Sequence, residues 1–194
     1  EYALAKPLSV FLNKHPEMNM HIIYGNAEQL LAKLDNGEIH FALIEGYFPS
    51  HKYEQLLYYT DSFICVCAKN HTFSQKVNHI EDLLNERILV RETGSGTRDL
   101  LDSYLKTYNL SYLDFKNHLE IESISSIISL LKNDCGISFL YRLSVEEELK
   151  NGSLKEIKIQ NLPLHHDTTF LWNKNSVYSK QYKEICKELI GEYK

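Results

Sequence analysis

Arg91-Glu92-Thr93-Gly94-Ser95-Gly96-Thr97-Arg98 is the stretch on which the fold turns. Upstream stands the β-rich run Ile88-Leu89-Val90; downstream, Leu100, Leu101, Tyr104 and Leu105 repeat with helical spacing. The segment therefore reads as strand, glycine-rich turn and helix. A helix that starts in such a turn leaves its first N–H groups without intrahelical partners, and its dipole adds partial positive charge there. That suits an anion. Gly94 and Gly96 permit positive φ and close approach of a ligand, while the Ser95 and Thr97 hydroxyls can cap the helix or bind that ligand. On these residues alone both uses stay open. A P-loop needs Gly-x-x-x-x-Gly-Lys-Ser/Thr and a nucleophile elbow needs Gly-x-Ser-x-Gly; neither spacing is present, so Ser95 has no case as a nucleophile.

Two similar corners flank this one. Met20-His21-Ile22-Ile23-Tyr24 reads as a strand running into Gly25-Asn26-Ala27-Glu28, after which a helix extends to Leu34 and stops at Asn36-Gly37. Residues 118–122 read as a strand followed by Ser123-Ile124-Ser125-Ser126, which opens a helix through Lys132. Asn26 and these serines are also good N-caps. The continuously apolar runs Phe41-Ala42-Leu43-Ile44 and Ile137-Ser138-Phe139-Leu140-Tyr141 read as buried strands, the first as expected of a parallel sheet covered on both faces.

Helix 4–14 closes at Pro16, strands are expected at 56–59 and 62–68, and the polar interval 69–76 reads as a crossing to a second lobe. An acidic helix at 144–150 opens with a capping box, Ser144 and Glu147, and ends at Asn151-Gly152. A half-exposed strand at 154–159, a strand at 168–172 and a helix at 179–193 complete the chain. His165-His166-Asp167 read as surface residues before the last strand, because neighbours on an extended chain face opposite ways and do not share one site. Alternating helices and strands make an α/β fold. Two such lobes, the last strand and helix returning to the first, would gather the three corners at strand carboxyl ends around one cleft.

Composition is that of a globular protein, with 43% apolar and 24% charged residues in 194. The formal charge of −5 argues against gripping nucleic acid over a broad surface. Cys65 and Cys67 share one strand face and are badly placed to bridge each other; with Cys135 and Cys186 they are expected to be four buried, reduced thiols, as in a cytoplasmic protein. No Cys/His spacing points to a metal and no cofactor motif is present. The chain begins Glu1-Tyr2-Ala3-Leu4, without Met, signal peptide or membrane span, as an excised fragment would.

Leu8-x-x-Phe11-x-x-x-x-Pro16, Gly25-Asn26-Ala27-Glu28-Gln29-Leu30, residues 34–44, Ala68-Lys69-Asn70-His71, residues 92–98, residues 132–140 and Leu149-x-x-Gly152-x-Leu154 occur in an order and spacing that resemble the effector-binding domain of LysR-type transcriptional regulators over nearly the whole chain. His40, Tyr141 and Ala27 depart from the family pattern, where Asp, Pro and a ligand-binding Ser or Thr are usual.

The resemblance implies an α/β fold of two Rossmann-like lobes, periplasmic-binding-protein-like of type II, with the effector cleft between them. Lobe I would comprise residues 1–69 plus 170–194 and lobe II residues 70–169, the N-terminal winged helix-turn-helix being absent from this chain. It implies a cytoplasmic sensor, not an enzyme, that binds a small anionic metabolite through Asn26, Ala27, Ser95, Gly96, Thr97, Ser125 and Ser126. With Ala27 lacking a hydroxyl, backbone N–H groups and Asn26 are left to serve at the first corner. Glu45 and Arg98 are secondary candidates. Arg98 can equally fix the helix start, the favoured use, Glu45 more readily reads as a solvated loop charge, and Arg91 and Arg142 stay unassigned. The family forms homodimers, and tetramers at full length, and reaches DNA only through the missing domain. Two rivals share the fold: an extracytoplasmic solute-binding protein, which needs a signal peptide, and a prephenate dehydratase-like enzyme, which needs an acid or base beside the anion site.

Overall fold

A computed structural model describes residues 3–193. In chain order the elements are α1 (Ala5–Lys14), α2 (Ala27–Asp35), β1 (Ala42–Glu45), β2 (Tyr53–Ala68), β3 (Arg87–Val90), α3 (Gly96–Lys106), β4 (Asn117–Glu120), α4 (Ile124–Lys132), β5 (Ile137–Tyr141), α5 (Glu146–Asn151), β6 (Leu154–Ile157), β7 (Leu164–Asn173) and α6 (Ser179–Tyr193). They form two compact units, Glu1–Thr60 with Asp167–Lys194, and Asp61–His166. The chain passes from one to the other inside β2 and again inside β7.

In the first unit β1 runs antiparallel to β7, Ala42 opposite Leu171 and Glu45 opposite Thr168. Leu34 of α2 packs with Ala42, Ile44, Tyr53 and Leu171 in one core. A second core joins Phe11 of α1 to Tyr182, Cys186 and Leu189 of α6 over Tyr58, Phe170 and Trp172. Both helices present one apolar stripe, the pattern that drives an amphipathic helix onto a sheet. Trp172 donates from Nε1 to Ser179 Oγ at 2.8 Å, which secures the start of α6.

In the second unit β3 pairs in parallel with β4 and with β5, while β2 pairs antiparallel with β5 and with β6. Side chains alternate across this sheet. Cys65, Cys67, Ile88 and Val90 therefore face α3 through Leu101, Tyr104 and Leu105. Ile64, Val66 and Leu89 face the other way, onto Ile127, Ile128 and Leu131 of α4. Gly136, at φ +141°, lies where an added Cβ would come within 2.3 Å of the Arg87 carbonyl oxygen, so β5 can enter beside β3 only without a side chain there.

Several expectations are corrected. Residues 20–24 lie outside the ladders; Met20 packs against a core but Ile22 and Tyr24 are exposed, so the apolar run has no sheet face to occupy. The two strands expected at 56–59 and 62–68 are one, β2. Its polar middle survives because Thr60 donates to Asp167 at 2.6 Å and Asp61 accepts the Leu143 N–H at 3.0 Å. β1 is antiparallel to its neighbour, since an apolar run reports coverage and not strand direction. Ser144 forms no capping box: its hydroxyl donates to the Tyr141 carbonyl at 2.7 Å within a 3-10 turn, Arg142–Val145, that precedes α5. His165 and His166 lie within β7 and not before it.

The interval 69–76 belongs to the second unit and leads to a 3-10 turn, Ile80–Leu83. Asp82 closes that turn by accepting the Asn78 and His79 N–H groups, each at 2.9 Å. These two bonds hold its carboxyl below the usual carboxylate range. The resulting stability is present above the unfolded-state value near 3.8 and is lost as pH falls through the lower folded-state value. Melting curves of Asp82→Asn and the parent chain should therefore differ at neutral pH and converge below that window. Gly136→Ala should destabilise the chain by about 2 kcal/mol or more in denaturant titration, since both the positive φ and the backbone clash oppose it.

Candidate functional site

The second unit builds its corner from the residues around Gly94. That glycine takes φ +88°, and the Glu92 carbonyl accepts the Ser95 N–H across the turn at 3.3 Å. Gly94 and not Gly96 supplies the left-handed residue; Gly96 is the first residue of α3. Ser95 occupies the N-cap position with extended backbone, yet its side chain makes no capping hydrogen bond. Ser95 and Thr97 are only 3% and 4% exposed. The first amides of α3 thus lack the covering hydroxyl that a capped helix would have.

At α4 the N-cap is Ser123, which the sequence left undistinguished among its serine neighbours. Its Oγ accepts the Ser126 N–H at 3.2 Å and lies 2.9 Å from the Ser125 Oγ. Ser125 and Ser126 sit exposed on the first turn. Because β3 and β4 are parallel neighbours, with Val90 opposite Glu120, α3 and α4 both start at the carboxyl ends of adjacent strands. They cover opposite faces of the sheet. This is the topological switch point of an α/β sheet, where the chain leaves a crevice suited to a ligand.

Arg98 ties the corner together. Its side chain is 7% exposed. Nε donates to Asp102 at 2.9 Å, Nη1 to the Arg91 carbonyl at 2.9 Å and to Glu120 at 3.1 Å, and the guanidinium lies 3.9 Å from the centre of the Tyr112 ring. Burial works against the charge, but Asp102, Glu120 and Tyr112 outweigh it and raise the group above its ordinary value. Its donors serve the fold. Arg91 forms a two-point pair with Glu92, at 2.8 and 3.0 Å, and Arg142 pairs with Glu156. The Arg98–Asp102 partnership was legible as an i,i+4 spacing; Glu120 and Tyr112 come from other elements and were not.

In the first unit Asn26 is the N-cap of α2 in a full capping box: Oδ1 accepts the Gln29 N–H at 2.9 Å, and Gln29 Oε1 accepts the Asn26 N–H at 3.2 Å. Ala27 is the first helical residue. Glu45 ends β1 and accepts the Tyr59 hydroxyl at 3.3 Å.

Among the described residues no group of three or more His, Cys, Asp or Glu is arranged for a metal, and no helix is long and apolar enough to cross a membrane. Cys65, Cys67 and Cys186 are buried, and burial pushes the last two thiols up to about 12. Cys135 is only half-buried, against the expectation of four buried thiols, because it follows the exposed turn that ends α4.

Truncating Arg98 frees the Arg91 carbonyl and returns two half-exposed carboxylates to water. Arg98→Ala should cost about 1–3 kcal/mol in denaturant titration, with Arg98→Lys losing less.

Comparison with known proteins places the chain in a family. The chain is similar to the probable RuBisCO transcriptional regulator of Chlorokybus atmophyticus, 25% identical over 196 residues that cover 99% of this chain and 63% of that protein. It is similar to the HTH-type transcriptional regulator CysL of Bacillus subtilis (strain 168), 28% identical over 88% of this chain and 56% of that protein. The chain thus spans less than two thirds of the length of these relatives. Among solved structures, the Synechocystis PCC6803 CcmR regulatory domain in complex with 2-PG matches with a TM-score of 0.84 at 20% identity, over 100% of this chain and 92% of that one. The sulfate-bound regulatory domain of the OxyR2 E204G mutant from Vibrio vulnificus matches with a TM-score of 0.80 at 18% identity, over 98% of this chain and 89% of that one. The fold is therefore the α/β, two-lobed, periplasmic-binding-protein-like fold of such domains. Residues 1–192 match the family model described as LysR substrate binding domain, and the chain belongs to that family.

Proposed function

We propose that this chain is the effector-sensing and oligomerisation domain of a LysR-type transcriptional regulator, cytoplasmic and homodimeric, whose effector is a small anion. Its two units serve as the lobes, and DNA is held by a winged helix-turn-helix outside this chain. The observation that carries the anion assignment is the start of α3: a buried Ser95 without a capping bond, beside Gly96 and Thr97, at the switch point of a parallel sheet. Helix amides free of a cap favour negative charge. The hydroxyls of Ser125 and Ser126 add donors from α4, and Asn26 with the Ala27 amide supplies the first lobe's share. Glu45, which accepts the Tyr59 hydroxyl, stays a secondary candidate for a hydroxyl or amine on the effector, and Arg98 holds the corner in shape and does not itself bind the effector. That CcmR was solved with 2-PG and OxyR2 with sulfate supports a ligand of this class.

Binding acts by favouring one of two arrangements for which the effector has different affinity. No chemistry is performed on the ligand, and prephenate should not be turned over by the purified chain. The deciding experiment is the melting temperature against sulfate, phosphate and small carboxylates, repeated with Thr97→Val. An anion at about 100 times its dissociation constant adds about 2.7 kcal/mol to stability. A shift that Thr97→Val abolishes supports the assignment; no shift with any anion, or one unchanged by the substitution, removes it.

A further inference from the structure

His71 lies in the polar interval after β2, far along the sequence from every residue of the α3 corner. Its ring is nearly buried, the side chain 11% exposed. Nδ1 stands 2.5 Å from Asp134 Oδ1, just past the end of α4, and Nε2 stands 3.4 Å from Glu86 Oε2, just before β3. Nε2 is buried and has no hydrogen-bond partner. A neutral imidazole carries one N–H and one lone pair. If Nδ1 holds the hydrogen, the lone pair of Nε2 faces the Glu86 carboxylate; if Nε2 holds it, the lone pair of Nδ1 faces Asp134 at shorter range. Only the imidazolium presents a proton to both.

We infer that His71 is a proton-binding site that latches residues 69–78 to the second unit, closed when the ring is charged and loosened when it is neutral. Three pieces of chain meet at the ring: its own segment, the entry to β3 and the exit of α4. The segment is fixed at its ends by Lys69 N–H to the Ser153 carbonyl at 3.0 Å and Gln160 N–H to the Asn78 carbonyl at 2.8 Å. Between these, Phe73 stacks edge-on against the His71 ring at 4.6 Å and packs with Val77 against the core under α3. The imidazole is therefore one polar fastening of a segment that Lys155 also holds, through the His71 carbonyl at 2.6 Å, and that Phe73 and Val77 hold by apolar packing.

The other ionisable groups nearby are Lys155, whose Nζ donates to the His71 carbonyl at 2.6 Å, Arg87, whose Nη1 reaches the Cys135 carbonyl at 3.4 Å, and the Cys67 and Cys135 thiols. The two cations oppose a charged ring, but neither touches it through its ammonium or guanidinium, whereas both carboxylates face its nitrogens. Burial keeps Cys67 neutral. Glu86 and Asp134 lie at the amino ends of β3 and β5, and the α3 corner lies at the carboxyl end of β3, so the latch is separate from the anion site.

Hydrogen exchange of the backbone, corrected for intrinsic rates, tests this at about pH 5.5 and about pH 8.5, which bracket the charge change of imidazoles. Protection across residues 69–78 should be about fivefold or more higher at the lower pH in the parent chain, the equivalent of one good hydrogen bond. In His71→Gln the two conditions should give equal protection. Glu86→Gln should also lose the difference, because its amide can donate to the neutral ring. Equal protection in the parent chain, or a difference that survives either substitution, overturns the inference; should His71→Gln fail to fold, Glu86→Gln alone decides. Sulfate binding is expected to be unchanged in Glu86→Gln, so the outcome is independent of the anion assignment.

Discussion

Parallel pairing of β3 with β4 on one side and β5 on the other is the constraint on which the second unit depends. Parallel neighbours cannot be joined by a tight turn, so each connection must climb back through a helix. With right-handed crossovers, the step outward to β4 and the step back to β5 put their helices on opposite faces. The starts of α3 and α4 then share one end of the sheet. The second unit's share of the proposed anion site follows from that placement. The role proposed for Ser95, Thr97 and the α4 serines rests on where two crossovers begin.

Polar ties reinforce this arrangement where apolar packing cannot reach. Arg98 joins its own helix, the end of β3 and the end of β4 with one guanidinium. Ser138 does the same in miniature inside the sheet, donating from β5 to the Leu89 carbonyl at 2.7 Å. Most remaining ion pairs are exposed and contribute little to stability, which makes the few enclosed ones informative. His71 is one of these, its ring held between the carboxylates of Asp134 and Glu86.

The sequence announced its helices well because capping residues and apolar stripes are local. Asn26 as the N-cap of α2, the Gly94 turn and the Gly152 stop of α5 all occur as read. Its strands were less legible. Residues 20–24 look like a strand but lie outside the ladders, and β2 looks like two strands but is one, because a ladder is completed by partners distant in sequence. The same distance hid Glu120 and Tyr112 from Arg98, and Asp134 and Glu86 from His71. Ser144 misled for a different reason. A Ser-x-x-Glu spacing signals a cap only if the helix starts there, and the chain instead makes a 3-10 turn first.

The division of the chain into units has a further consequence in time. The second unit is one contiguous stretch, whereas the first is assembled from both ends of the chain. As a ribosome releases the polypeptide, β2 to β6 are out before β7 and α6 exist, so the second unit lacks only the first residues of β7, while α1, α2 and β1 must wait for the rest of β7 and for α6. The apolar faces of Phe11 and Leu34 are therefore the ones left unsheltered during synthesis, and the early helices are where a chaperone or a premature association would find its surface.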